Sequence, residues 1–417
     1  MPNTASGHDT EPALRFVDRV EAVDIDTQFR FGRTMKGKTV RTPMVNTMTA
    51  TFDQVRLMQL ALQQARLAEG FVEPNPMVGA LVATADGDVI SIGYHRQFGE
   101  AHAEIYAIAE SGSKTIGSDL YVTLEPCSHF GKTPPCADAV IEARFRRVII
   151  GCQDPAPHVA GQGIQRLRDA GVEVIVGVCE TEAKRLIAPF EMLMLRKRPW
   201  VHAKWAMTLD GRTASRTGHS KWISSEASRK IVHQLRGRMD AIITGAGTVR
   251  SDDPLLTARP SGIRTPLRVV MDADGAALHA NTNLIKSLAD GPVLICVNES
   301  ASAHEVQRLQ SLGVEVFQCG TNHAGRIDLS AVMEELGRRK CTNVLTEAGS
   351  ELLGSLFDAS LVDEVHVFIA PRLVGGANAR PAIAGTGAAA IPEMPNVINV
   401  RQSIIGDDVL IEGDVVR

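Results

Sequence analysis

Three short motifs in the first half of the chain bring together residue types that can activate water and move a proton: His102-Ala103-Glu104, Pro126-Cys127 and Pro135-Cys136. Hydrolytic removal of an amine from a pyrimidine needs a strong nucleophile at neutral pH. A zinc ion held by three protein ligands, with one coordination position left open, supplies it by lowering the pKa of water to about 7. One imidazole and two thiolates, His102, Cys127 and Cys136, fit a tetrahedral set of this kind. Glu104, a carboxylate that does not bind the metal, is then placed to carry the proton from water to the leaving amine. The same residues also fit a structural zinc site, for which His129 is the nearby candidate fourth ligand, or a pair of buried thiols. Between Cys127 and Cys136 stand eight residues, where the usual deaminase spacing is two.

Those side chains need elements to hold them. Thr51-Phe-Asp-Gln54 has the form of a capping box, and Val55, Met58, Leu62 and Ala65 follow at helical spacing. Two strands joined by an Asp86-Gly87 turn come next, and strands and helices then alternate: a helix from His102, a strand into Pro126, a helix from Cys136, a strand ending at Cys152. This puts His102, Cys127 and Cys136 at or near helix starts, where unpaired N–H groups and the positive dipole end favour thiolates. Alternation of this kind implies a layered α/β domain. An amphipathic helix spans 180–198, with Ala183, Leu186, Ile187, Phe190, Leu193 and Met194 on one stripe, and Pro199 ends it. The domain boundary is placed there. Residues 1–47 read as a flexible extension, 48–198 as the first domain and 199–417 as the second.

The second half alternates again, with strands near 200–209, 241–245, 267–272, 292–297, 314–318, 343–346 and 364–370. Gly245-Ala-Gly247-Thr-Val lacks the third glycine of the dinucleotide fingerprint. Polar residues and glycines gather instead at strand ends: Lys204, Asp210-Gly211, Thr248, Asp252 and Glu347-Ala348-Gly349. Residues 349–355 open a helix whose N-terminus suits a pyrophosphate. Taken singly, Asp252-Asp253-Pro254 also reads as a turn, Arg236 as a solvated helix face and Trp222 as core.

Composition excludes several classes of function. The 417 residues are 44% hydrophobic and 22% charged, enough to bury a core in each half. A net charge of −4 and 4% aromatics leave no basic, base-stacking surface for nucleic acid. No apolar run has the length of a membrane span, and the N-terminus lacks a signal pattern, so a cytoplasmic protein is expected. Seven scattered cysteines fit a reducing compartment.

The long Cys127-to-Cys136 loop belongs to a wider pattern. Pro74-Asn75-Pro76, Gly93-Tyr94-His95, Thr123-Leu-Glu-Pro-Cys127-Ser-His129 and Lys204-(x5)-Asp210-Gly211 form its first part. Ser220-Lys-Trp222-Ile223, Asp252-Asp253-Pro254-(x)-Leu256-Thr257-(x)-Arg259 and Glu347-Ala348-Gly349 complete it. Over roughly residues 50–417 the chain resembles the bacterial bifunctional riboflavin biosynthesis deaminase/reductases. Ala156 stands where that family has Asn, and Thr208 where it has Ser.

The resemblance implies a cytidine-deaminase-like three-layer α/β/α domain followed by a dihydrofolate-reductase-like α/β domain. It implies zinc-dependent deamination of a phosphoribosylamino-diaminopyrimidinone, then NADPH-dependent reduction of the ribosyl group to ribityl. By similarity, one zinc per chain lies on His102, Cys127 and Cys136, with Glu104 transferring the proton. Asn75 and His95 line the pyrimidine pocket, although Asn75 between two prolines also reads as a turn residue. NADPH is expected at Ala206, Trp222, Thr248, Asp252 and the helix start Gly349, Ser350, Glu351, Leu352, Leu353, Gly354 and Ser355, with Lys204 beside it. Ser220, Arg236, Leu256, Arg259 and Glu347 are expected on the substrate side, where guanidinium forks suit a 5-phosphate. Homodimers or tetramers, a small-molecule substrate, and neither nucleic acid nor membrane complete the expectation. The competing readings are a nucleoside or tRNA deaminase with an appended binding domain, and a zinc-stabilised interaction module without catalysis.

Overall fold

Thr51 opens the first helix as its spacing predicts: its hydroxyl accepts the Gln54 N–H while the Gln54 side chain reaches back to the Thr51 N–H. The computed structural model describes residues 51–129, 134–157, 159–322 and 325–416, so the expectation for residues 1–47 lies outside the described residues.

The first half runs α1 (Phe52–Ala65), β1 (Gly79–Ala83), β2 (Val89–Tyr94), α2 (Ala103–Ser111), β3 (Asp119–Leu124), α3 (Cys136–Glu142) and β4 (Arg147–Cys152). It closes with α4 (Gln162–Asp169), β5 (Glu173–Val176) and α5 (Glu180–Arg196). Its five strands order as β2-β1-β3-β4-β5, antiparallel around β1 and parallel from β3 to β5. Alternate residues of the central strands face opposite cores. Leu81, Tyr121 and Ile149 pack with Leu57, Met58 and Ala61 of α1 and with Leu186 and Ile187 of α5. Val82, Val122 and Ile150 pack with Ala107 of α2, Val140 of α3 and Leu167 of α4. Helices on both faces of one sheet make this half a three-layer α/β/α domain. Gly93 is required at its position, since a Cβ there would stand 2.5 Å from the Ala103 carbonyl oxygen of α2. That close approach seats α2, which begins just after His102, on the sheet.

The second half runs β6 (Trp200–Thr208), β7 (Arg212–Ala214), α6 (Glu226–Arg236), β8 (Ala241–Gly245), α7 (Ala246–Asp252), β9 (Leu267–Met271), α8 (Asn283–Lys286) and β10 (Val293–Val297). It continues with α9 (Ala303–Ser311), β11 (Glu315–Gln318), α10 (Leu329–Arg338), β12 (Asn343–Thr346) and α11 (Ser350–Asp358). Then come β13 (Glu364–Ala370), β14 (Arg380–Pro381), β15 (Asn396–Ile405) and β16 (Asp408–Val416). Nine of these strands form one sheet, β11-β10-β9-β8-β12-β6-β13-β16-β15. It is parallel up to β13 and antiparallel in the last two strands. One face buries Val201, Ile243 and Val344 against α10 and α11, the other Ile242, Val270 and Leu345 against α7, α8 and α9. The strands expected between 200 and 370 are all present. The β15–β16 hairpin and the short β7–β14 pair were not anticipated.

The two halves meet through charged side chains. Arg185 on α5 pairs with Glu364 and Asp414 at 2.7 Å each, and Arg198 pairs with Asp363. Arg264 bridges Glu73 and Asp240, and Arg238 pairs with Glu69. Asp240, Asp363 and Glu364 all sit at the N-terminal ends of strands of the second half.

Candidate active sites

In the first half, β3 delivers the chain to Cys127, α2 begins just after His102 and α3 begins at Cys136. The His102 Nδ1 atom lies 3.6 Å from Cys127 Sγ and 3.3 Å from Cys136 Sγ. All three donor atoms fall within 4.8 Å of one another. Cys127 sits in the loop after β3 rather than at a helix start, but its sulfur accepts the Cys136 N–H at the beginning of α3. A hydrogen bond from the Cys136 thiol, with His102 and that backbone N–H, lowers the Cys127 thiol to about 4. Cys136 moves the opposite way, raised by its bond to Cys127 and by burial.

Glu104 is buried two residues into α2, and burial raises its carboxyl to about 7. Its Oε2 atom is buried with no hydrogen-bond partner. A buried oxygen of this kind costs stability unless a ligand or water completes it. Glu104 and His102 line a cavity of about 390 Å³ with Asn75, His95, Cys127 and His129. Phe190 and Met194 of α5 close one side of it. His95 Nδ1 faces the Ala101 carbonyl oxygen at 2.9 Å, so that nitrogen carries the hydrogen. His95 Nε2 is therefore the acceptor for the Asn75 side-chain N–H at 3.3 Å. Asn75, His95, His102, Glu104 and Cys127 thus line one cavity, and Cys136 joins His102 and Cys127 beneath it. Three soft or borderline donors, an open side and a carboxylate with one free oxygen beside them fit a zinc ion with a free coordination position.

In the second half, Glu347 follows β12 and lies half-buried against Arg236 of α6, whose Nε and Nη2 N–H groups donate to its two carboxylate oxygens. Lys204 Nζ on β6 stands 3.8 Å from the same carboxylate. Burial would raise Glu347, yet the charge and hydrogen bonds of Arg236, and Lys204 behind them, hold it at about 2. Burial lowers Lys204 from its usual range. Arg236 is thus committed to Glu347 and the Thr257 carbonyl, while exposed Arg259 reaches only the Thr257 hydroxyl. Leu256, between them, is buried with φ at +54°.

Thr248 on α7 and Gly349, the N-cap of α11, are adjacent: a Cβ at Gly349 would lie 3.7 Å from Thr248 Oγ1. Neither α7 nor α11 has a side-chain cap, so two helix N-termini with unfilled N–H groups stand together at the ends of β8 and β12. That fits the pyrophosphate of a dinucleotide. Only the first turn of α11 faces this region. Leu353 is core, and Gly354 is backed onto Ala384, where a Cβ would stand 2.1 Å from the carbonyl oxygen. Glu351 points to Arg326, and Ser355 accepts from the same arginine. Leu352 packs near Gly245, and Ala206 lies on β6 against Phe368 and Val232. Trp222 is exposed rather than core, with the Arg229 guanidinium 4.6 Å over its ring. Asp252 ends α7 within 4.0 Å of the Lys221 ammonium, and Ser220 is half-buried in the segment before it.

Two residues escaped the sequence reading. His233, one turn before Arg236, has a buried Nδ1 with no partner beside this charge cluster. Glu125 lines the first cavity. The Arg236–Glu347 pair beside His233 and the backbone partners of Glu125 come from distant parts of the sequence, so spacing offered no signal.

Residues 52–152 match the cytidine and deoxycytidylate deaminase zinc-binding region, and residues 199–411 match the RibD C-terminal domain. Fold and sites thus define a zinc-dependent deaminase joined to an NADPH-dependent reductase. The chain is 40% identical over 355 residues to the riboflavin biosynthesis protein RibD of Bacillus amyloliquefaciens, covering 84% of this chain and 94% of that protein. To RibD of Escherichia coli K12 it is 37% identical, covering 76% of this chain and 88% of that protein. The solved Acinetobacter baumannii RibD matches with a TM-score of 0.75 and 32% identity, over 88% of this chain and 99% of that one. A Thermotoga maritima structure described as a diaminohydroxyphosphoribosylaminopyrimidine deaminase/5-amino-6-(5-phosphoribosylamino)uracil reductase matches with a TM-score of 0.73 and 34% identity, over 87% of this chain and 99% of that one. The chain belongs to the RibD family of bifunctional riboflavin biosynthesis enzymes, using zinc and NADPH.

Proposed function

We propose that this chain deaminates 2,5-diamino-6-(5-phosphoribosylamino)pyrimidin-4-one and then reduces the ribosyl group of the resulting uracil to ribityl. The observation that carries the reading is the unpartnered, buried Glu104 Oε2 beside the His102, Cys127 and Cys136 donors. When bound, zinc supplies Lewis acidity toward water, and the nicotinamide supplies the hydride.

His102, Cys127 and Cys136 hold the metal. Glu104 takes a proton from water at Oε2 and gives it to the departing amine, a task suited to a carboxyl near 7. With His95 Nε2 occupied as acceptor, Asn75 is oriented to present its carbonyl oxygen to a donor on the pyrimidine. In the reductase half, Thr248 and the first turn of α11 hold the cofactor phosphates. Lys204, kept close to Glu347, contacts the ribose, and Arg259 meets the 5-phosphate. Arg236 acts chiefly by orienting Glu347.

The domain limits are read as 48–198 and 199–417. Homo-oligomerisation through the second half, a cytoplasmic location and the absence of a nucleic-acid partner belong to the same reading. Among the described residues no helix is long and apolar enough to cross a membrane.

Incubation with NADPH, with and without the diaminopyrimidine, tests the order of steps. NADPH absorbance should fall only when the diaminopyrimidine is present, after a lag in which ammonia appears. Steady NADPH loss with no ammonia release would reverse the proposed order.

A further inference from the structure

We propose that Glu125 is a positioning residue of the deaminase, clamping the far wall of the cavity against the metal-ligand loop and so setting substrate affinity. The inference rests on the deaminase reading above. Glu125 stands two residues before Cys127 and is buried. Its Oε1 accepts the N–H groups of Gly163 at 2.8 Å and Ile164 at 3.1 Å. Its Oε2 accepts those of Gly161 at 2.9 Å and Asp154 at 3.2 Å.

Gly163 and Ile164 lie in the first turn of α4, whose N-cap is Gly161 at φ +81°, a residue with no side chain to cap the helix. Glu125 thus does the capping from another element, 36 to 39 residues away for these three partners. A negative charge at that helix end is favoured by the dipole. The fit is close, since a Cβ on Gly163 would stand 2.0 Å from the Pro126 carbonyl oxygen. Pro126 leads directly into Cys127, so the clamped segment packs beside the metal loop, whose own place is fixed by the Cys136 N–H on Cys127 Sγ and the Ala137 N–H on the Cys127 carbonyl oxygen. Asp154, Ala156 and Val159 of that segment line the same cavity as Glu104 and His102. The metal ligands and Glu104 hang on β3, α2 and α3. Releasing the clamp therefore opens the wall that meets the substrate while leaving the reacting groups in place.

Glu125→Gln replaces one acceptor oxygen by an amide that faces N–H donors. Zinc content should stay at the wild-type value, with the deaminase KM rising about tenfold or more and kcat held within about threefold. Hydrogen exchange should quicken at the amides of Gly161, Gly163 and Ile164. Gly163→Ala attacks the clamp from the opposite side and should give the same split, with reductase turnover in the same chain reporting that the protein is folded. Loss of zinc, a fall in kcat at constant KM, or unchanged exchange at those amides would overturn the proposal. A zinc-loaded wild-type chain that deaminates no diaminopyrimidine would sink the functional reading instead, and amide exchange would still decide the clamp.

Discussion

Glu104 shows how one burial serves two purposes. The burial that raises its carboxyl to about 7 also leaves one oxygen without a protein partner, so the group can hold a proton at neutral pH. Glu104→Gln keeps the shape but cannot accept the proton. Deamination should fall about 10²–10⁴-fold, toward the upper end because one group serves both water activation and amine departure. Metal analysis should find zinc retained. Reduction of pre-deaminated substrate should stay within about twofold of wild type, because its residues share no partner with Glu104. Undiminished deamination would make Glu104 an ordinary helix residue. The Glu347–Arg236 pair carries the opposite lesson: burial alone would neutralise the carboxyl, and the guanidinium keeps it charged near 2.

Among the elements, the junction strands β6, β13 and β16 carry a titratable load. Burial would raise Glu364, but His202, His366 and Arg185 hold it at about 2, against an ordinary 4.5. The unfolded chain therefore takes up this proton first as pH falls. The stability that Glu364 contributes is complete above about pH 4.5 and is lost as the pH drops toward 2, an amount on the order of 3 kcal/mol. Glu364→Gln should be less stable at pH 6 and show a shallower loss between pH 4.5 and 2. Denaturant unfolding followed by tryptophan fluorescence would read this directly, since Trp200 Nε1 donates to Glu364 Oε2. An unchanged acid slope would remove Glu364 from the account.

The elements that were legible in the sequence are those with one periodicity and one buried face. The hairpin at Asp86-Gly87, the stripe of α5 and the apolar runs of the parallel strands are of this kind. The β15 strand is exposed along nearly its whole length, so it offers no inside–outside alternation to read. The clustering of His102, Cys127 and Cys136 beside Glu104 was legible because deaminase chemistry ties these residue types to short motifs. The Glu347–Arg236 pair, 111 residues apart, and the Glu125 clamp depend on tertiary folding that no local pattern encodes.

For the whole molecule, the long sheet ends on a strand that no other strand among the described residues pairs on its outer side. Val397, Ile398, Val400 and Ile404 lie exposed on β15, an edge strand with unpaired backbone groups on one side. Edges of this length and character invite another chain. If a second copy pairs there, Ile404→Lys should weaken association about tenfold or more, visible by sedimentation as a shift toward monomer, with deaminase kcat unaffected. A wild-type chain that sediments as a monomer at micromolar concentration would dismiss this edge as an interface.

The junction between the halves has a consequence of its own. It lies at the strand beginnings, whereas Thr248, Glu347 and Gly349 lie past the strand ends, and the covalent link runs through Lys197 in a left-handed turn. Severed at that link and co-expressed, the two fragments would have to find each other through Arg185, Arg238 and Arg264 and their carboxylates. Reassembly of such a split enzyme would be quick in dilute buffer and would falter as ionic strength rises, because screening shortens the reach of those charges to about 3 Å at 1 M salt.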